Sequence, residues 1–185
     1  MFNKQYSQLK PFIIALFLLS ALYSCGQEKH RRDNYFETFV EVKDSIDSIV
    51  VYKSAREMQT YHQGNKVKKY IISLGMEPVG PKQFEGDLKT PEGHYQINTR
   101  SRISTYHANL GISYPSMSDS LSAINQNKNP GGDIKIHGFP NNHAKKQERE
   151  FLNTDWTVGC IAVSDFEIDE LYNWVIAYCP ILILP

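Results

Sequence analysis

Asp133-Ile134-Lys135-Ile136-His137-Gly138 and, further on, Thr157-Val158-Gly159-Cys160-Ile161-Ala162-Val163 are the two stretches on which the reading of this chain turns. The first alternates polar and apolar residues, the two-residue period of a half-buried strand, and predicts a strand that delivers His137 at its end. The second sets a cysteine after a glycine at the mouth of an apolar run, which predicts another strand entering at Cys160. Two such strands, once adjacent, bring an imidazole and a thiol together. The thiolate is the attacking species in cysteine chemistry, so the sulfur needs a base beside it. Cys160 is therefore the candidate nucleophile and His137 the candidate general base. A glycine before the nucleophile lets backbone N–H groups approach a reacting carbonyl, so the Gly159 and Cys160 amides are the expected oxyanion donors. Thr157 and Gly138 are expected to shape the turns that carry them. A backbone carbonyl, with 111–113 as the candidate region, should orient His137.

Working outward, the segments 49–52, 58–62, 67–74, 94–97 and 181–184 read as strands, with Gln63-Gly64-Asn65 as a turn between the second and third. Gly75, Pro78, Gly80 and Pro81 open a loop. A short helix is expected over 121–127, capped by Ser118 or Asp119 and stopped by Asn129-Pro130-Gly131-Gly132. Ser164-Asp165-Phe166-Glu167 is a capping box for a second helix, with Ile168, Leu171, Val175 and Tyr178 on its inner face. The segment 139–155 reads as a loop with a short charged helix, a lid over the site. The expected fold is mainly β (β-rich α+β) with one or two short helices.

Twenty basic and twenty acidic residues balance, which removes the electrostatic footprint of nucleic-acid binding. Residues 1–25 carry Lys4 and Lys10, an apolar run and a small-residue boundary, the pattern of a secretory signal. Cys25 at that boundary resembles the lipidated cysteine of a bacterial lipoprotein, which implies an exported protein anchored to the membrane and facing the periplasm; a plain signal anchor is the alternative. Residues 26–45 read as a polar tether and 46–185 as the domain. With Cys25 set aside, Cys160 and Cys179 remain. In an exported protein they could form a disulfide, but Cys179 reads better as a small buried hydrophobe. None of the six histidines has metal-ligand spacing, so neither metal nor cofactor is expected. His143 is a candidate to line the site. Trp156 and Tyr114 would flank a substrate channel or sit in the core. Arg100, Arg102 and Lys135 would meet substrate carboxylates or lie on the solvated surface.

Together, Ile136-His137-Gly138, Thr157-Val158-Gly159-Cys160 and the earlier Gly86-Asp87-Leu88-Lys89-Thr90-Pro91-Glu92-Gly93-His94-Tyr95 resemble the signature of the L,D-transpeptidase catalytic domain. The resemblance covers approximately 46–185 and implies a sandwich- or barrel-like β body. It also implies an enzyme acting on peptidoglycan stem peptides: a cysteine forms an acyl-enzyme and passes the stem to an amine. Some relatives pass it to water instead, which keeps an L,D-carboxypeptidase or amidase as the alternative. The commoner family form has an arginine two residues after the cysteine, where this chain has Ala162.

Overall fold

The structure, a computed structural model, describes residues 45–185. The expected secretory signal over 1–25, the expected lipidation site Cys25 and nearly all of the expected tether over 26–45 lie outside the described residues. Ser48–Tyr52 (β1), Glu57–His62 (β2) and Asn65–Ile71 (β3) form an antiparallel meander whose inward side chains alternate as the sequence pattern requires. Ile49, Val51, Met58, Thr60 and Tyr70 are buried on one face. Pro180–Leu184 (β8) runs parallel to β1 and antiparallel to Gly93–Ser101 (β4), so the end of the chain closes the middle of the sheet. Beyond β4 come Asn109–Ile112 (β5), Lys135–His137 (β6) and Ile161–Ala162 (β7). The result is one eight-stranded curled sheet in the order β3-β2-β1-β8-β4-β5-β6-β7. The mainly β architecture expected above is the one observed.

β5 was not foreseen as a strand, for a physical reason. All four of its residues are buried, so it lacks the alternation that marks a half-solvated strand. It nevertheless couples the halves of the sheet, pairing with β4 on one side and β6 on the other.

Helix α1 (Met117–Asn125) begins earlier than expected and is capped by Ser116, not by Ser118 or Asp119. Asp119 is the third helical residue, and its carboxylate accepts from the Ser116 N–H at 2.8 Å. Glu148–Phe151 (α2) is the short charged helix expected between the His137 and Cys160 motifs. Helix α3 (Asp165–Trp174) opens on the capping box read from the sequence, with the Glu167 N–H donating to Ser164 Oγ at 3.3 Å. It buries Ile168 and Leu171, but Val175 already ends it in extended backbone. Tyr178, expected on the inner face, lies beyond that end at positive φ and is 68% exposed. Among the described residues no helix is long and apolar enough to cross a membrane.

One buried ion pair ties α3 to the meander. Lys68 Nζ lies 2.6 Å from Glu170 Oε2, and the Tyr70 hydroxyl donates to the same oxygen at 3.1 Å. Burial and the Glu170 charge raise the Tyr70 phenol well above its ordinary value. Removing one member of such a pair leaves an uncompensated buried charge. Glu170→Ala is therefore expected to lower the unfolding free energy by about 3–5 kcal/mol, measured by denaturant titration.

Candidate active site

β6 and β7 run parallel with Ile136 opposite Ile161 and His137 opposite Ala162. Continued by one residue, that register sets Cys160 beside Lys135, and the alternation of strand side chains puts Lys135, His137 and Cys160 on one face. His137, Cys160 and Thr157 accordingly line one cleft of about 640 Å³. Tyr106, Asn109 and Trp156 line it from the His137 side, and Lys82, Glu85, Gly86 and Leu88 contribute from the preceding loop.

The thiol is half-buried and donates to the Asp133 carbonyl oxygen at 3.6 Å. Both Cys160 and Cys179 are free, so the disulfide alternative is not realised. Burial pushes the Cys160 thiol above its ordinary 9.0, with the Lys135 backbone N–H and ammonium pulling the other way. His137 is buried, and its Nδ1 lies 2.7 Å from the Gly138 carbonyl oxygen. A carbonyl can only accept, so Nδ1 carries the proton and Nε2 is left with its lone pair. The orienting carbonyl thus comes from the adjacent residue, not from 111–113. Burial lowers the His137 imidazole below its ordinary 6.5, opposed by that hydrogen bond. Both shifts favour a neutral thiol beside a neutral imidazole.

The imidazole is held between two rings. Tyr106 lies 4.6 Å from it, centroid to centroid, and Trp156 meets it edge-on at 5.6 Å. Trp156 in turn packs on Phe151 of α2 at 5.1 Å and donates from Nε1 to the Phe151 carbonyl oxygen at 3.1 Å. A line of aromatic contacts therefore runs from His137 into the 139–155 segment. His143 belongs to that line, 5.3 Å from Phe139, and does not line the cleft. Tyr114 packs in the core against Tyr95. Arg100 donates to the Tyr172 and Val175 carbonyl oxygens, and Arg102 pairs with Asp169; neither reaches the cleft.

The turn before Cys160 bears on the expected oxyanion donors. The Gly159 N–H already donates to Thr157 Oγ1 at 3.2 Å, while the Thr157 hydroxyl donates to the Cys160 carbonyl oxygen at 2.8 Å. The Gly159 amide is thus committed inside the turn, with the Thr157 hydroxyl hydrogen-bonded to both Gly159 and Cys160. Gly159 itself adopts φ +136, and a Cβ there would lie 2.8 Å from the Lys89 carbonyl oxygen. Gly159→Ala is expected to cost about 1–3 kcal/mol of stability and to slow Cys160 alkylation, read by thermal melts and a thiol-labelling time course. Gly138 is required by close packing instead, since a Cβ there would lie 2.5 Å from Asp165 Oδ1.

The Gly86–Gly93 motif is the frame under this turn. Asp87 accepts from the backbone N–H groups of Gln83, Phe84 and Lys89 and from Lys82 Nζ at 2.8 Å. Although burial pushes its carboxyl up, these donors together hold it below the usual carboxylate range. Thr90 Oγ1 accepts from the Gly75 N–H at 3.0 Å and donates toward the Cys160 carbonyl oxygen at 3.5 Å. Glu92 anchors the fully buried Lys53 at 2.8 Å. Asp155, just before the Thr157-to-Cys160 turn, is clamped by Arg56 and accepts from the Leu74 N–H. Sequence reasoning gave no roles to Tyr106, Asp155, Arg56 or Lys53, because each acts through a partner distant in the chain. Among the described residues no cluster of three or more His, Cys, Asp or Glu side chains is arranged to hold a metal ion.

With this geometry in hand, the comparisons with known proteins are specific. The chain is 25% identical over 134 residues to YafK of Escherichia coli strain K12, which carries the L,D-transpeptidase name provisionally. That match covers 69% of this chain and 46% of YafK, so the chain spans about half the length of the curated relatives it matches. Among solved structures, the helical cell shape determining protein Pgp2 of Campylobacter jejuni shares the fold at TM-score 0.56 and 23% identity, over 79% of this chain and 51% of Pgp2. Bd1075 of Bdellovibrio bacteriovorus does so at TM-score 0.53 and 24% identity, over 76% of this chain and 48% of its own. The family model of the L,D-transpeptidase catalytic domain, YkuD, matches residues 46–183. The chain belongs to the L,D-transpeptidase (YkuD) catalytic domain family.

Proposed function

We propose that this chain is an exported cysteine acyltransferase that remodels peptidoglycan, working on stem peptides through a Cys160 acyl-enzyme. The observation that carries the reading is the β6–β7 register, which sets a half-buried thiol and a tautomer-fixed imidazole in one cleft. The thiol meets the carbonyl that joins the third and fourth stem residues. His137 Nε2 takes the thiol proton as the S–C bond forms, and returns it to the departing amine as the C–N bond breaks. An acceptor amine then attacks the thioester, giving its proton to the same nitrogen, and the sulfur leaves.

With the Gly159 N–H committed to Thr157, the Cys160 N–H is the donor assigned to the oxyanion, a role commonly worth about 3–4 kcal/mol. Neutral partners at rest suit this scheme, because proton transfer then accompanies attack. Export and lipid anchoring at Cys25 complete the proposal, since peptidoglycan lies outside the cytoplasm and the N-terminal pattern resembles that of a lipoprotein.

One feature favours a second reading. Ala162, opposite His137, occupies the place of the arginine in the commoner family form, and its replacement loosens the tie to synthetic relatives. Hydrolysis of stem or lipoprotein links by the same pair is that alternative. Incubation with defined tetrapeptide muropeptides separates the two. Cross-linked dimers identify the transferase, shortened monomers or freed lipoprotein identify the hydrolase, and unchanged substrate refutes both.

A further inference from the structure

Two charged side chains in the cleft have no part in the scheme above. Asp133 and Lys135 both line it, and Lys135 Nζ lies 2.6 Å from Asp133 Oδ1. The backbone of Asp133 meets the sulfur directly, its carbonyl oxygen accepting from Sγ at 3.6 Å. Lys135 stands two residues before His137 on β6, so both side chains leave the same face, and the strand register sets Lys135 beside Cys160. Asp133 is held at φ +58, a left-handed backbone that aspartate tolerates better than most residues. The turn thus sets a mostly exposed carboxylate and a partly buried ammonium in one short segment lining the cleft that holds the sulfur.

The other charged or titratable groups facing Cys160 are accounted for. From the loop before β4, Lys82 is buried and tied to Asp87 and to the Phe84 carbonyl oxygen. Glu85 lines the same wall and Tyr106 the opposite one, where it stacks on His137. His137 is the base itself. Lys135 is less buried than Lys82, and Asp133 is its ion-pair partner. An ammonium near the sulfur favours the thiolate and a carboxylate disfavours it, so the pair exerts opposed effects on one group.

We propose that Asp133 and Lys135 form an electrostatic governor on Cys160, Lys135 assisting formation of the sulfur anion and Asp133 restraining it. With the pair intact the two influences largely offset each other, and the resting thiol stays protonated. This inference rests on Cys160 being the nucleophile, and it adds two positioning residues to that reading.

The test is the pH profile of Cys160 alkylation by iodoacetamide in the full chain, followed at the Cys160 peptide by mass spectrometry. A small neutral reagent reports on the thiol without requiring substrate binding. Asp133→Asn is expected to move the midpoint down by roughly 0.5–1 pH unit, and Lys135→Met to move it up by a similar amount. The double variant Asp133→Asn/Lys135→Met should return close to the wild-type midpoint, and Lys135→Arg should stay there. Lys135→Gln serves if the methionine variant fails to fold. Shifts of the same sign in both single variants, or no shift in either, overturn the governor. A failure of the nucleophile reading is distinguishable, because it would appear as turnover surviving in Cys160→Ala whatever the alkylation profiles do.

Discussion

Cys160→Ala is expected to abolish turnover of stem peptides, a loss of about 10⁴-fold or more, while leaving the domain folded. No other thiol among the described residues can substitute. Cys179 is fully buried in the core, and its thiol is pushed up to about 12 by that burial. The cost in stability should stay within about 1 kcal/mol, because the half-buried Cys160 side chain makes one long hydrogen bond and leaves the strand ladder intact when truncated. Intact-mass measurement after exposure to a carbapenem, the acylating agent implied by the family resemblance, should show one adduct in the wild type, mapped to Cys160, and none in the variant. Turnover in Cys160→Ala at more than a small fraction of the wild-type rate would remove the thiol mechanism.

His137→Ala is expected to lower kcat by roughly 10²–10⁴-fold, the usual contribution of a positioned general base. The effect should be at the upper end of that range, because burial raises the Cys160 thiol and little thiolate forms without a proton acceptor. The pH dependence follows from the same two shifts. The imidazole is held below 6.5, so the acid limb of kcat/KM should fall below that value. The alkaline limb should lie above 9.0, and the two apparent values belong to the coupled pair. Stability carries matching signs. The unfolded chain binds a proton at His137 near 6.5 while the native state resists it, so this contribution is present above 6.5 and is lost as pH falls through the lowered native value. The raised thiol acts in the opposite sense: its contribution is present below 9.0 and is lost as pH rises through the native value. An acid limb of kcat/KM unchanged in a residually active His137→Ala protein would show that another group takes the proton.

Much of this site was legible because its signals are local. Strand alternation through Ile134 and Ile136 marks β6, and the capping box at Ser164 marks the start of α3. The motif from Gly86 to Gly93 stood out, but its role did not. Asp87 folds its own loop, whereas Thr90 and Glu92 reach Gly75, Cys160 and Lys53, which are remote in the chain. The Ser116 cap was missed because Ser116, Ser118 and Asp119 all carry capping side chains, and only the backbone geometry chooses among them. The carbonyl that orients His137 was sought far away because no pattern of side chains encodes a neighbour's backbone dihedral.

The sequence by itself determined most of the strand-forming segments, the start of α3 and the pair of chemically capable residues at 137 and 160, since periodicity, capping and side-chain chemistry are written residue by residue. Tertiary structure alone decided that β5 bridges the sheet, that Tyr106 and Trp156 flank His137, and that the Gly159 amide is given to Thr157. The physical reason is that each of these depends on which buried polar groups and ring faces meet once distant segments pack together. A hydrogen-bond donor has one best partner in the folded chain and many possible ones along the string of letters.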